Sequence, residues 1–157
     1  MRRALVLLAI AALLAACSPT TPGAAPAAGG LPSNQLDSQI AAAIGDPTTC
    51  VLIADAGGKV LYRYGDDFNC VRGLPACDAP GLINAKAALQ FATKPGGRFA
   101  SSNSLPDGSR QVGWAEGPVQ SAAGRNLVYS AVMEGQRALP GHEMNARLYD
   151  AFSKAGL

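Results

Sequence analysis

From residue 31 onward the hydrophobic and polar positions change period several times, and each change marks an element. Leu36, Ile40 and Ile44 recur at fours behind Ser33 and Asn34, residues suited to helix caps, and Gly45-Asp46-Pro47 ends the pattern. Cys50 to Ala54 is a compact apolar run, Asp55-Ala56-Gly57-Gly58 is turn chemistry, and Lys59 to Tyr64 alternates. Val60, Tyr62 and Tyr64 share one face of that strand, Leu61 and Arg63 the other, which predicts a β-hairpin. A loop from Gly65 to Gly81 carries two cysteines and two prolines. Leu82 to Lys94 reads as a helix with Ala85, Ala88, Leu89 and Ala92 as its apolar stripe; Asp78 and Pro80 lie upstream, and Pro95-Gly96-Gly97 stops it. Three strands follow: a short one over Arg98 to Ser101, a second over Gln111 to Glu116, and a third in which Leu127, Tyr129, Ala131 and Met133 alternate. Turns at Pro106-Asp107-Gly108 and at Ser121 to Gly124 separate them. The last helix, His142 to Ala155, gathers Met144, Leu148, Ala151 and Phe152 on one side.

The order α-β-β-α-β-β-β-α predicts an α+β domain over residues 31–157, a five-stranded, mostly antiparallel sheet flanked by helices. This order resembles the roadblock/profilin-like group and, more loosely, PAS and Cache sensor domains. It also resembles the α/β half of serine β-lactamases and penicillin-binding proteins, whose first hairpin is similar to Val51-Leu52-Ile53-Ala54-Asp55-Ala56-Gly57-Gly58-Lys59-Val60-Leu61-Tyr62. These are likenesses of topology, and a fold does not imply a function.

Upstream of the domain the pattern is of another kind. Arg2 and Arg3 precede an unbroken apolar span from Ala4 to Ala16, 13 residues long. At about 1.5 Å per residue it is too short to cross roughly 30 Å of hydrocarbon, so it reads as a signal peptide over residues 1–16. Leu14-Ala15-Ala16-Cys17 resembles the lipobox of bacterial lipoproteins. That resemblance implies a diacylglyceryl thioether on Cys17, cleavage before it, and acylation, typically by palmitate, of the new amino group. Two or three acyl chains suffice for stable anchoring. Ser18, where an aspartate would favour inner-membrane retention, then implies an outer-membrane protein facing the periplasm in a Gram-negative host. Residues 17–30, Cys17 followed by a Pro/Ala/Gly-rich run, read as a lipidated tether.

Composition adjusts this picture in two places. Without Arg2 and Arg3, the 13 Lys+Arg fall to 11 and match the 11 Asp+Glu, so the basic balance belongs to the signal peptide. No Lys/Arg run remains to attract nucleic acid. The expected partners are therefore the membrane, through lipid on Cys17, and another envelope protein.

Candidate chemistry is sparse. No Ser-x-x-Lys and no Gly-x-Ser-x-Gly occurs, so the β-lactamase likeness brings no catalytic residues. His142, the single histidine, opens His142-Glu143-Met144-Asn145-Ala146, and a zinc peptidase would need an imidazole at Ala146. Gly57-Gly58-Lys59 lacks the remainder of a phosphate-binding loop and suits a hairpin turn. Asp66-Asp67 reads as a solvated turn. Cysteine spacing lacks the close pairs of structural zinc sites, so neither metal nor cofactor is expected. In an oxidising envelope a disulfide is expected, and the short Val71-to-Ala76 loop favours Cys70 with Cys77, leaving Cys50 a buried thiol; Cys50 paired with one of them is the rival. Tyr62, Tyr64, Trp114 and Tyr129 are candidate ligand-facing aromatics on a sheet face, although strand aromatics usually belong to a core. The reading that follows is a non-catalytic, lipid-anchored envelope protein with an adaptor, sensor or inhibitor domain. The alternatives are a Cache-like small-molecule sensor or carrier and, behind it, an envelope hydrolase.

Overall fold

Both faces of the Cys50–Ala54 run are buried, which is why its residues are apolar without alternation. This strand, β1 (Cys50–Asp55), pairs with β2 (Val60–Tyr64) on one side and with β7 (Leu127–Gly135) on the other. β6 (Gln111–Val119) and β5 (Arg98–Asn103) complete a sheet of order β2-β1-β7-β6-β5. Every pairing is antiparallel, so the fold is α+β around a five-stranded antiparallel sheet. The computed structural model describes residues 30–76, 80–103, 107, 109–120 and 124–157. The signal segment, Cys17 and the tether up to residue 29, Cys77, Asp78, Pro106, Gly108 and residues 121–123 lie outside the described residues.

One face of the sheet carries α1 (Ser33–Ile44) and α4 (Gly141–Lys154). Leu36, Ile40 and Ile44 of α1 and Met144, Leu148 and Phe152 of α4 pack with Val51, Ile53, Tyr62, Ala115, Tyr129, Ala131 and Met133. The spacing at fours on α1 is thus a core stripe. Its start differs from expectation: Pro32 is the N-cap, Ser33 and Asn34 lie inside the first turn, and the Ser33 hydroxyl donates back to the Leu31 carbonyl. Proline has no side-chain acceptor to offer the first turn, and the Ser33 N–H donates instead to the Leu31 carbonyl at 2.8 Å. At the other end the Thr49 hydroxyl donates to the Ile44 carbonyl at 2.9 Å, satisfying one free helix carbonyl. α4 is brought onto the sheet through Gly113 and Gly141. A Cβ at Gly113 would meet the Leu139 carbonyl oxygen at 2.0 Å, and one at Gly141 the Trp114 carbonyl oxygen at 2.2 Å. The chain entering α4 therefore lies directly on the strands.

The other face carries α3 (Ala85–Ala92), whose buried residues are the expected Ala85, Ala88, Leu89 and Ala92. The helix is shorter at its start than the periodicity suggests. Asn84 caps it, its side-chain oxygen accepting from the Ala87 N–H at 2.9 Å, and Leu82–Ile83 belong to a strand, β4. β4 pairs with β3 (Leu74–Pro75) in a two-stranded ribbon. The predicted Gly65–Gly81 loop also contains a short helix, α2 (Asp67–Val71). Asp66 caps α2 by accepting from the Asn69 N–H at 2.8 Å, and Asp67 pairs with Arg63. The two acids predicted to form a solvated turn therefore start a helix.

That helix also changes the disulfide. The expected bridge between Cys70 and Cys77 is not the one formed: Cys70 is bonded to Cys50, with the Cα atoms 5.2 Å apart. Short loop closure favoured Cys77, but α2 folds back over the start of β1 and brings Cys70 onto the buried Cys50 instead. Gly65, at φ +91°, makes this return. A Cβ there would lie 2.2 Å from the Thr49 carbonyl oxygen.

Candidate functional site

The excursion from Gly65 to Asn84 is tied down at many points for its size. Besides the disulfide, Asn69 Nδ2 donates to the Pro47 carbonyl at 2.6 Å and Asn84 Nδ2 to the Val71 carbonyl at 3.3 Å. Trp114 Nε1 donates to the Pro75 carbonyl at 3.0 Å, and Arg72 pairs with Glu134, whose side chain is only 6% exposed. A segment so anchored has little freedom to turn its apolar groups inward. Yet Phe68 is 66% exposed, Val71 64% and Leu82 69%, the most exposed large hydrophobics among the described residues. Phe68 and Val71 are one turn apart on α2, and a Cβ on Gly73 would sit 3.1 Å from the Leu82 side chain, so β4 lies beside the end of α2. Arg72 lies 5.5 Å from the Phe68 ring centroid, and the Arg63–Asp67 pair flanks the helix. The result is an apolar centre with a charged rim on a clamped flap.

The four aromatics expected on one sheet face are divided between two. Tyr62 and Tyr129 lie in the α1/α4 core and Tyr64 packs at its margin, whereas Trp114 is buried on the α3 face under the flap. Tyr62 donates to Asp37 Oδ1 at 2.7 Å, and Tyr129 donates to Asn145 Oδ1 at 2.5 Å while meeting Phe152 edge-on. Burial raises both phenols well above their usual pKa; the hydrogen bond to Asp37 adds to the rise for Tyr62, and the nearby Tyr149 and Glu116 add to it for Tyr129. Trp114 anchors the ribbon. His142 is exposed at the start of α4, its ring centroid 4.9 Å from that of Phe99. Among the described residues no cluster of three or more His, Cys, Asp or Glu side chains is placed to hold a metal ion. None of the helices among them is long and apolar enough to cross a membrane.

Tyr129 does reach a cavity, in company the sequence did not suggest. A hollow of about 320 Å³ lies at the edge of the α4 face, between the start of β5, the end of β6 and the middle of α4. Phe99, Tyr129 and Tyr149 wall it, Asn145 and Gln120 supply amides, and Gly96, Gly97 and Gly117 leave it unfilled. The glycines have a structural cause. A Cβ at Gly97 would come 2.5 Å from the Glu116 carbonyl oxygen, and one at Gly117 would meet the Gly97 Cα at 3.2 Å. The 96–97 turn and β6 cross backbone to backbone, and the hollow is the space that side chains would have occupied.

No protein-family model, curated protein or solved structure matches the chain.

Proposed function

We propose that this chain is a bacterial envelope lipoprotein, anchored by lipid on Cys17, whose domain docks another envelope protein through the flap. The observation that carries the docking is the exposure of Phe68, Val71 and Leu82 on a segment held by a disulfide and four polar ties. An apolar patch of this kind on an ordered surface marks an interaction site, and an aromatic centre with an arginine rim is the usual composition of one. The lipobox supports the anchor, and the Pro/Ala/Gly tether gives the domain reach from the membrane surface.

A photo-crosslinking residue in place of Val71, introduced into the full chain in its native cells, tests both halves. The expected result is one discrete adduct in the membrane fraction. Phe68→Ser with Leu82→Ser removes the adduct, and Cys17→Ala removes palmitate labelling and releases the chain from carbonate-washed membranes. An adduct pattern indifferent to the two serines overturns the docking surface, and membrane retention of the Cys17→Ala chain overturns the anchor. A small-molecule sensor of Cache-like type is the second reading, and the aromatic hollow beside Tyr129 is the observation that favours it.

A further inference from the structure

We infer that the hollow between β5, β6 and α4 is a binding site for a neutral pyranose ring, such as a hexose or N-acetylhexosamine. Among the described residues none of its lining is charged: Phe99, Tyr129, Tyr149, Asn145 and Gln120 join Pro118 and the three glycines. A phosphate, a nucleotide or a zwitterionic amino acid would find no ion to meet there. A lipid chain would leave amide and hydroxyl groups without partners. Sugar rings carry apolar C–H faces and a rim of hydroxyls, and so match aromatic walls interrupted by amides. The volume, about 320 Å³, lies at the small end of the roughly 300–1,000 Å³ of ligand pockets and suits one ring.

The hydrogen-bonding groups are already oriented. Asn145 accepts from Tyr129 through Oδ1 at 2.5 Å, which fixes the amide and leaves its two N–H groups as donors. Tyr149 stands one turn further along α4, and its hydroxyl makes only a long contact, 3.4 Å, to the Pro118 carbonyl. That hydroxyl can turn to a ligand without breaking a strong bond. Tyr129 is fully buried and held at its far end, so it backs the hollow as a fixed floor, and the accessible ring faces are those of Phe99 and Tyr149. A fixed floor and a pre-set amide lower the ordering cost of binding a small polar ring. The site lies apart from the flap, on the opposite face of the sheet, and does not depend on flap docking.

Saturation-transfer NMR on the full chain in detergent, with glucose, N-acetylglucosamine, its β-linked trimer and glucuronate as probes, tests the assignment. Transfer is expected from the neutral sugars with a Kd on the order of 1 mM, and about tenfold weaker binding of glucuronate. Tyr149→Ala, which removes a partly exposed stacking face, and Gln120→Trp, which fills the mouth, should each weaken binding about tenfold or more while circular dichroism stays unchanged. If Tyr149→Ala unfolds, Gln120→Trp alone decides. Tighter binding of the trimer identifies the sugar of an envelope polymer as the source, and equal binding identifies a free monosaccharide. Absence of transfer from both neutral sugars, equal binding of glucuronate, or binding indifferent to the folded variants overturns the proposal.

Discussion

On the α1/α4 face of the sheet the helices contribute large side chains, Leu36, Ile40, Met144, Leu148 and Phe152, and the polar contacts of Tyr62 and Tyr129 are made by hydroxyls at the ends of buried rings. On the α3 face the helix stripe is Ala85, Ala88, Leu89 and Ala92, and little apolar area is available from it. What holds that face is of another kind. Glu116, with no exposed surface, receives Arg98 bidentately at 2.8 and 2.9 Å, and the Arg98 guanidinium lies 3.9 Å from the Phe91 ring centroid. The Ser130 hydroxyl donates to the Ala85 carbonyl at 2.6 Å, and the Cys50–Cys70 bond ties the flap to the sheet. Hydrophobic burial is distributed over many contacts and tolerates local loss. An ion pair in a dry site and a covalent link each fail as a unit, so the α3 face should be the more brittle.

The largest effect tests that brittleness. Arg98→Ala leaves Glu116 buried without its partner and should cost about 3–5 kcal/mol. Replacing Arg98 by Met together with Glu116 by Leu should recover most of that loss, because the penalty lies in the uncompensated charge. Leu148→Ala, on the other face, should cost about 2–5 kcal/mol with no such recovery available. Urea denaturation of the variants measures all three. If the double replacement is as unstable as Arg98→Ala, the pair stabilises by packing, and the contrast between faces is weaker than drawn.

A middle effect comes from the disulfide, whose cysteines are 20 positions apart. Cys70→Ser should lower stability by about 3 kcal/mol through loop closure. The loss should appear first as faster hydrogen exchange of the α2 and ribbon amides, with those of α1 and α4 still protected. Simultaneous loss of protection on both faces would show that the flap is not a separable unit.

The smallest effect is absent at neutral pH and appears only in alkali. In the folded chain Tyr62 and Tyr129 have phenol pKa values raised above the ordinary value of about 10, by burial first and by their neighbours second. The folded state therefore retains protons that the unfolded chain gives up. The stability these groups contribute is complete below pH ~10 and declines as the pH rises past it. Phenolate absorbance should show both ionising only with unfolding. Reversible titration of either near pH 10 in the folded chain would mean that this face admits water.

Long stripes made most of the fold legible in the sequence. The Ala85, Ala88, Leu89, Ala92 stripe and the Met144, Leu148, Ala151, Phe152 stripe are both buried as read, and β7 runs as its alternation predicts. What was missed is short or made by tertiary contact. α2 has five residues, too few for a period, and its capping residue Asp66 reads in the sequence as part of a solvated turn. Cysteine pairing depends on which element returns over β1, so spacing misled and Cys50 replaced Cys77 as the partner of Cys70. Alternation within each strand put Trp114 and Tyr129 on inward faces but could not say that those faces are opposite, because that depends on the register between β6 and β7. Of the hollow's residues the sequence marked only Tyr129. Phe99, Asn145 and Tyr149 come from two further elements, and the sole local trace was Gly96-Gly97 with Gly117.

The Cys50–Cys70 link also makes the flap depend on the redox state around it. Two thiols join only where an oxidant is present, so in a reducing milieu the flap is held to the rest of the domain by its polar ties alone. Once the bond closes, α2 is fixed over the start of β1. The exposed patch of Phe68, Val71 and Leu82 thus gains its covalent restraint on oxidation. The docking proposed for that patch would have its full restraint only where disulfides last.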